Sequence, residues 1–179
     1  MVETRTHRRV TRNRKKNRVP LAKLRTAEVV RTVVDHPGRL NELVALLDDS
    51  ERALRGRAAA TLARLSESHA HRLIRVVDRL REALSDDSAY VRWHLVYTLG
   101  RLGTSFPVRA PLFLQELLER LEDSNRIVRS FSLQALGCMA ARDPRPVEQL
   151  FASAKKDVPP PLLRILRASG TEIRKPAGK

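Results

Sequence analysis

Aromatic and basic side chains stand at helical spacing near the middle of the chain. Trp93, Tyr97 and Arg101 occupy positions i, i+4 and i+8, so a helix would carry all three on one face. Aromatic rings stack on bases, sugars or apolar side chains, and a guanidinium group binds carboxylates and phosphates. This spacing favours a binding surface for nucleic acid or for an extended acidic peptide. The alternative is that the rings pack between structural units, because large aromatic side chains are usually mostly buried.

A second basic feature lies at the N-terminus. The chain has a net charge of +15, and residues 1–18 hold eight Lys or Arg against Glu3. A segment this dense in like charge and poor in apolar residues is expected to be disordered when unbound. The basic arm consists of Arg8, Arg9, Arg12, Arg14, Lys15, Lys16 and Arg18. Fully extended, it would reach about 60 Å along nucleic acid or an acidic partner.

The rest of the chain repeats at intervals of 37 residues. Leu47, Leu84 and Leu121 form one column, and acidic residues follow each of them. Seven positions after each leucine comes an apolar residue followed by arginine: Leu54-Arg55, Val91-Arg92 and Val128-Arg129. A period of this length indicates a stack of similar supersecondary units rather than a globule with one closed site. The functional surface should therefore be an extended one.

Each unit is predicted to contain two amphipathic helices joined by a tight polar turn. In the first helix the apolar columns fall at i, i+3 and i+7, and in the second at i, i+4, i+8 and i+11. Leucine and alanine are prominent in these columns and only 4% of all residues are aromatic, which is typical of helix-on-helix packing. One hairpin cannot bury both of its apolar faces alone, so its neighbours must complete the burial.

This pattern resembles the HEAT repeat, particularly the short form found in many bacterial proteins. The resemblance rests on the leucine-rich first helix, the acidic turn, the apolar-Arg pair and the apolar positions that follow, in the stretches Leu47 through Leu65, Leu84 through Leu102 and Leu121 through Met139. It implies an all-α, right-handed α-solenoid of stacked helical hairpins, with about three regular repeats and capping helices. The resemblance implies a scaffold and leaves the ligand open.

The chain divides into five predicted segments. A basic arm covers residues 1–19, and an N-terminal capping helix covers residues 20–36. Three HEAT-like repeats cover residues 37–141. A degenerate C-terminal capping repeat covers residues 142–169, because its apolar-Arg pair, Leu163-Arg164, falls outside the register of 37 residues. A basic tail covers residues 170–179.

Two columns that repeat are predicted to be structural. Asp49, Asp87 and Asp123 precede the second helix, where a side-chain oxygen satisfies an unpaired backbone N–H and meets the positive end of the helix dipole. Metal binding by these aspartates is the alternative. In HEAT repeats one arginine per repeat ties adjacent turns together, and the resemblance implies that role for Arg55, Arg92 and Arg129.

The candidate site lies at positions of the second helix that do not repeat. In solenoids of this kind the second helix lines the concave side, and removing the buried columns leaves four columns that are predicted to be exposed. The candidate binding residues on this face are Arg57, Arg64, Trp93, His94, Tyr97, Arg101, Phe131 and Gln134.

No catalytic residue is predicted. None of the four exposed columns contains Asp or Glu, so a general base on the concave face has no candidate. HEAT-like DNA glycosylases of the alkylation-repair type act from such a face with an acidic residue, and its absence counts against that activity. His69 and His71 beside Glu67 are predicted to form a solvated turn rather than a metal site, and Cys138 to be a structural thiol. We therefore expect no enzymatic activity, no metal and no cofactor.

The sequence thus predicts a scaffold that binds a protein or peptide partner on its concave face. The alternative is a nucleic-acid-binding protein whose arm and concave arginines contact phosphates while Trp93 or Tyr97 stacks on bases. A lyase or other enzyme on this scaffold is a third interpretation. No apolar run reaches the roughly 18 residues that a membrane-spanning helix needs, so membrane insertion is not expected. A single cysteine indicates a reducing cytoplasm, and the oligomeric state is left open.

Overall fold

The computed structural model describes residues 19–168, and that part of the chain is all-α. The basic arm and the basic tail lie outside the described residues, apart from position 19. The helices are α1 (Thr26–Asp35), α2 (Leu40–Ala45), α3 (Arg52–Leu73), α4 (Val77–Glu82), α5 (Ala89–Ser105), α6 (Leu114–Glu119), α7 (Arg126–Arg142), α8 (Pro144–Ala154) and α9 (Pro160–Ala168). The predicted all-α solenoid is confirmed.

The spacing of the helices follows the spacing of the sequence. The three first helices, α2, α4 and α6, begin 37 residues apart, and so do the three long second helices, α3, α5 and α7. Helix α3 has non-helical backbone angles at His69 (φ −131°, ψ 32°). His69 corresponds in the repeat to Phe106, which is the residue that follows the end of α5. Each repeat is therefore one short helix, a turn and one long helix.

Most of the predicted apolar columns form the core. In the first helices and the 3-10 turns that follow them the buried residues are Leu40, Leu43, Leu47, Val77, Leu80, Leu84, Leu114 and Leu117, while Leu121 is half-buried. In the second helices they are Ala58, Leu62, Leu65, Val91, Leu95, Leu99, Leu102, Val128, Ser132, Leu136 and Met139, while Leu54 is half-buried. Each hairpin thus closes on itself along one side.

The long helices also pack side by side, through small residues that the apolar columns did not include. Helices α1, α3, α5, α7 and α9 form one row in which each contacts the next. At the contact of α5 with α7, a Cβ atom added to Gly100 would lie 2.7 Å from the Cβ of Ala135 and 3.2 Å from its Cα. A side chain at this point would push two backbones apart, so glycine sets the distance between neighbouring repeats.

The N-terminal end differs from the predicted helix over residues 20–36. Residues Leu21–Lys23 form a short 3-10 turn, Leu24 is extended, and α1 begins only at Thr26. The buried Arg39 forms a bidentate ion pair with Glu42 and donates to the Val19 carbonyl oxygen (2.8 Å). This arrangement fixes the segment that leads into α1 against the first repeat.

The C-terminal end is closed by the last two helices. Helix α8 packs on α6 and α7, and α9 packs on α7 with Leu162 and Leu166 fully buried. The outward side chains of α9 include Arg164 and Arg167, both exposed. None of the helices in residues 19–168 has the length and apolar character to cross a membrane.

We predict that Gly100→Ala lowers the free energy of unfolding by about 1 to 3 kcal/mol, because the added methyl group overlaps the backbone of α7. Alanine is otherwise the better helix former by about 1 kcal/mol, so packing must outweigh propensity for the loss to appear. Urea unfolding would measure it. The matched control is Gly38→Ala, where an added Cβ meets nothing within 4 Å. Equal stability of the two variants would contradict the close approach of α5 and α7.

Candidate binding surface

A chain of touching aromatic rings lies on α5 and α7. The Trp93 ring stacks on Phe131 with centroids 4.9 Å apart, and Phe131 meets Tyr97 edge-on at 6.1 Å. Tyr90 meets Trp93 edge-on at 5.7 Å and lies 4.3 Å from the His94 ring. We call these five rings the aromatic cluster. It connects the second helices of the second and third repeats, as the neighbouring positions of Trp93, Tyr97 and Phe131 in the sequence predict.

His94 is a correction to the predicted exposed surface. Only 7% of it is exposed, because its ring is covered by Tyr90 and stacks on Trp93 with centroids 3.5 Å apart. Its Nδ1 lies 2.7 Å from the carbonyl oxygen of Tyr90, which assigns the proton of the neutral ring to Nδ1. Burial lowers the pKa of His94, and the hydrogen bond to Tyr90 opposes this only partly. His94 therefore packs beneath the rings of Tyr90 and Trp93 and is not part of the exposed surface.

Tyr90 is a surface residue that the sequence analysis missed. It is 51% exposed, and it stands three residues before Trp93 on the same side of α5. An added Cβ on Gly56 would lie 3.2 Å from the Tyr90 ring, so the ring also reaches across to α3. The helical period signals it, because Tyr90 precedes Trp93 by three residues and so extends the predicted exposed columns by one step toward the start of α5.

We call the exposed side of α3, α5 and α7 the second-helix face. Its members share a helical stripe on each helix and are exposed or half-buried: Arg57, Ala60, Arg64, Glu67, Tyr90, Trp93, Tyr97, Arg101, Ile127, Ser130, Phe131, Gln134 and Cys138. Among the described residues, Arg64 and Arg101 form no hydrogen bond or ion pair, and both are exposed. The second-helix face therefore holds, besides the aromatic cluster, two guanidinium groups that form no hydrogen bond or ion pair within residues 19–168.

Arg57 has a different role from the binding role that was predicted for it. Although exposed, it donates to the carbonyl oxygens of Ala22 and Leu24, the latter at 3.5 Å. These acceptors precede α1, so Arg57 holds the N-terminal segment to the first repeat. A ligand would have to compete with this structural use of its guanidinium group.

The predicted absence of a carboxylate from this face is wrong. Glu67 is exposed at the end of the stripe on α3, and its Oε1 accepts a hydrogen bond of 3.4 Å from the Tyr97 hydroxyl. The four columns that were considered stopped one helical step short of it. Cys138, predicted to be a structural thiol, is also exposed on this face. Within residues 19–168, His, Cys, Asp and Glu form no group of three that could hold a metal ion.

An arginine ladder runs along the turns at one edge of the stack. Arg55 donates through Nη1 to the carbonyl oxygens of Asp49 (3.0 Å) and Ser50 (3.2 Å), and through Nε to Asp86 of the next repeat (2.6 Å). Arg92 repeats this pattern, and its Nε and Nη2 both lie 2.8 Å from the carboxylate of Asp123. These two arginines link adjacent turns.

The aspartates of the ladder differ from the predicted set at one position. Asp49, Asp86 and Asp123 each accept the backbone N–H two residues later, at 2.8, 2.7 and 2.9 Å, and so shape the turn before the long helix. Asp87 was predicted in this role, but its carboxylate is 75% exposed and pairs with Arg55. The helices themselves begin after Glu51, Ser88 and Asn125, and of these only the Asn125 side chain accepts a capping hydrogen bond.

Asp123 shows how strongly the ladder holds its charges. Burial by itself would raise the pKa of Asp123, but the hydrogen bonds from Arg92 and from the Asn125 N–H, with the charges of Arg92 and Arg120, hold its pKa below the usual range. Its carboxylate is only 3% exposed. Ionised Asp123 therefore contributes to stability above the unfolded-state pKa of about 4, and that contribution is lost as the pH falls through the folded-state value.

The row of long helices, backed by short ones and tied at its turns, defines an α-solenoid repeat protein. Residues 40–115 match the family model described as HEAT repeats, which covers the first two repeats and enters the third. The matched stretch is therefore similar to HEAT repeats, and the fold of the described residues is a solenoid of that kind. No curated protein sequence matches it.

Two of the solved structures that share the fold are designed armadillo repeat proteins. One is a computationally designed armadillo repeat protein for modular peptide recognition, with 18% identity and a TM-score of 0.61 over 84% of this chain and 69% of that chain. The other is a designed armadillo repeat protein in complex with peptide (KR)4, with 17% identity and a TM-score of 0.57 over 81% of this chain and 67% of that chain. At these identities the likeness shows the fold alone.

We predict that Arg92→Gln lowers the free energy of unfolding by about 2 kcal/mol, because it leaves a buried carboxylate without its bidentate partner. Arg129→Gln is the matched variant, since Arg129 is exposed and contacts no carboxylate among the described residues. It should cost less than about 1 kcal/mol. Chemical denaturation of both variants measures the difference, and equal losses would contradict the ladder.

We predict that stability falls as the pH is lowered from about 6.5, the usual value for an unfolded histidine, because buried His94 takes up a proton less readily than the unfolded ring does. The contribution of His94 is complete above that pH and is lost as the pH falls through its lower folded-state pKa. Urea unfolding between pH 7.5 and 5, followed by the fluorescence of Trp93, measures it. His94→Phe should flatten the slope in this window; an unchanged slope would contradict the assignment.

Proposed function

We propose that this chain is a non-enzymatic scaffold that binds a protein or peptide partner on the second-helix face. The observation that supports this most directly is the aromatic cluster, which spans two repeats, with Arg101 on the same stripe of α5 and Arg64 on the stripe of the neighbouring α3. Rings that are already packed against one another lose little side-chain entropy when a ligand covers them. Aromatic side chains and arginine are also the residue types that most often dominate binding energy at interfaces.

The charge of this face indicates the chemistry of the partner. The second-helix face carries three arginines, Arg57, Arg64 and Arg101, against Glu67 alone. A designed armadillo repeat protein of the same fold forms a complex with a basic peptide, (KR)4. Because the charge on the present face is positive, we infer that its partner is an extended segment with acidic and apolar side chains. Exposed Tyr90 and half-buried Trp93 would receive the apolar groups.

A nucleic-acid partner is the alternative function, and the net charge of +15 favours it. In that case the basic arm and the face arginines would contact phosphates, and the cluster would stack on bases. Titrating DNA and RNA at two salt concentrations, with the full chain and with a chain that begins at Val19, separates the two functions. A steep salt dependence that falls by several units when the arm is removed would establish the alternative. Absence of binding at low salt would eliminate it.

We predict that a photo-crosslinker attached to Cys138 captures the partner, because this is the single cysteine of the chain and it is exposed on the second-helix face. The partner is first enriched from the native cell extract with the unlabelled full chain and is identified by mass spectrometry. The purified partner is then crosslinked. The matched control places the same probe on a Cys138→Ser, Arg109→Cys chain, since Arg109 is exposed but lies in the loop between α5 and α6.

The affinity of the purified partner then tests the face itself. Arg101→Glu should weaken binding about tenfold or more, because it replaces an attraction by a repulsion, whereas Arg109→Glu should change it less than twofold. Equal effects of the two substitutions, or equal crosslinking from positions 109 and 138, would place the partner elsewhere and overturn the proposal.

A further inference from the structure

Arg129 stands in the third repeat where Arg55 and Arg92 stand in the first two, but it pairs with no carboxylate within residues 19–168. Arg129 donates through Nη1 to the carbonyl oxygens of Asp123 (2.7 Å) and Ser124 (3.1 Å). Arg92 donates in the same way to the carbonyl oxygens of Asp86 (2.8 Å) and Asp87 (3.1 Å). The same two backbone contacts therefore orient each guanidinium group.

The outer edge of the guanidinium group distinguishes Arg129. In the first two repeats, Nε and Nη2 face an aspartate that follows the arginine by 31 residues, Asp86 for Arg55 and Asp123 for Arg92. The residue at the corresponding position for Arg129 is Pro160, because the C-terminal repeat has lost the register. Within residues 19–168 no hydrogen bond or ion pair reaches its Nε or Nη2, and the residue is exposed.

We propose that Arg129 is a carboxylate-binding site, which takes an Asp or Glu side chain of the partner in the bidentate manner of the Arg92–Asp123 pair. The proposal rests on the proposed function in that the carboxylate belongs to the partner on the second-helix face. Phe131 of the aromatic cluster follows two residues later, and exposed Arg126 stands three residues earlier on α7. A segment that runs from the cluster to the N-terminal end of α7, where Arg126 and Arg129 are exposed, would bring an acidic residue to this fork.

Pre-orientation is the physical reason for expecting binding here. An arginine usually loses rotamer freedom when it forms a bidentate pair, which cancels much of the gain at an exposed site. The two carbonyl contacts already restrict Arg129. A planar fork with two parallel N–H donors matches a carboxylate, whereas a lysine supplies only a point charge. Glu122 and Asp123 in the turn before α7 repel any anion, and because the repulsion grows with the charge, they disfavour a polyphosphate chain more than a single carboxylate.

The first experiment uses the smallest probe, N-acetylaspartate N-methylamide, which carries one carboxylate. Its titration into the full chain is followed by the side-chain Nε–H resonances of arginine in ¹H–¹⁵N spectra, assigned by substitution. We expect a saturable shift of the Arg129 resonance at millimolar probe. Arg92, whose fork is occupied, should not move, and exposed Arg126 should move only slightly and without saturation. Inorganic phosphate, titrated in parallel, should shift Arg129 less.

The second experiment measures the affinity of an acidic peptide, (Asp-Gly)6, by fluorescence anisotropy. Arg129→Lys keeps the charge and removes the fork, so it should weaken binding about fivefold. Arg126→Lys, the matched control one turn earlier, should change binding less than twofold. Equally small effects of the two substitutions would show general electrostatic attraction and overturn the proposal. An Arg129 resonance that shifts no more than that of Arg126, and without saturation, would overturn it too.

Two further results would also overturn it. A shift of the Arg129 resonance in Glu172→Gln without any probe would show that the chain's own tail carboxylate occupies the fork. If the chain binds single-stranded DNA more tightly than (Asp-Gly)6, and Arg129→Lys removes this preference, the guanidinium group of Arg129 binds phosphate instead. The two proposals can fail separately. If the Cys138 crosslink fails but the Arg129 resonance shifts saturably, the proposed function is wrong and the carboxylate site remains.

Discussion

A helical hairpin has two apolar sides and can bury only one of them by closing on itself. In this chain the second side of each long helix is buried by the next long helix, and the approach is close because glycine stands at the contact, as at Gly100 against Ala135. This constraint sets the row of helices, and the row leaves one side of each long helix without a neighbour. The second-helix face is that remaining side, so its residues need not repeat and can differ between repeats.

The repeating columns were predictable because each performs the same physical task in every repeat. Leucines such as Leu62 and Leu99 are buried at equivalent places, and Arg55 and Arg92 meet equivalent carbonyl groups. The fold, the helix spacing and the ladder follow from such equivalence. The position of the aromatic cluster was also predictable, because Trp93 and Phe131 occupy positions of neighbouring helices where the residue type does not repeat.

The burial and bonding of individual face residues could not be predicted, because they depend on contacts that do not repeat. His94 is buried by its own neighbours Tyr90 and Trp93, which have no equivalents in the other repeats. Arg57 bonds to a segment that precedes the first repeat, so no column signals it. A further cause is the width of the face: the helical stripe continues to Glu67, beyond the four columns that the apolar pattern delimits.

The segment just before α1 gives the fold a fixed point of attachment for the N-terminal residues. The Val19 carbonyl oxygen and the Leu21 N–H bond to Arg39 and Glu42 of the first repeat, and Arg57 holds the backbone at Ala22. Anything that residues 1–18 bind is thereby tethered within about 60 Å of this point. Tethering raises the effective concentration of a second binding event, so a weak contact of the arm and a weak contact of the second-helix face would combine into one much stronger association.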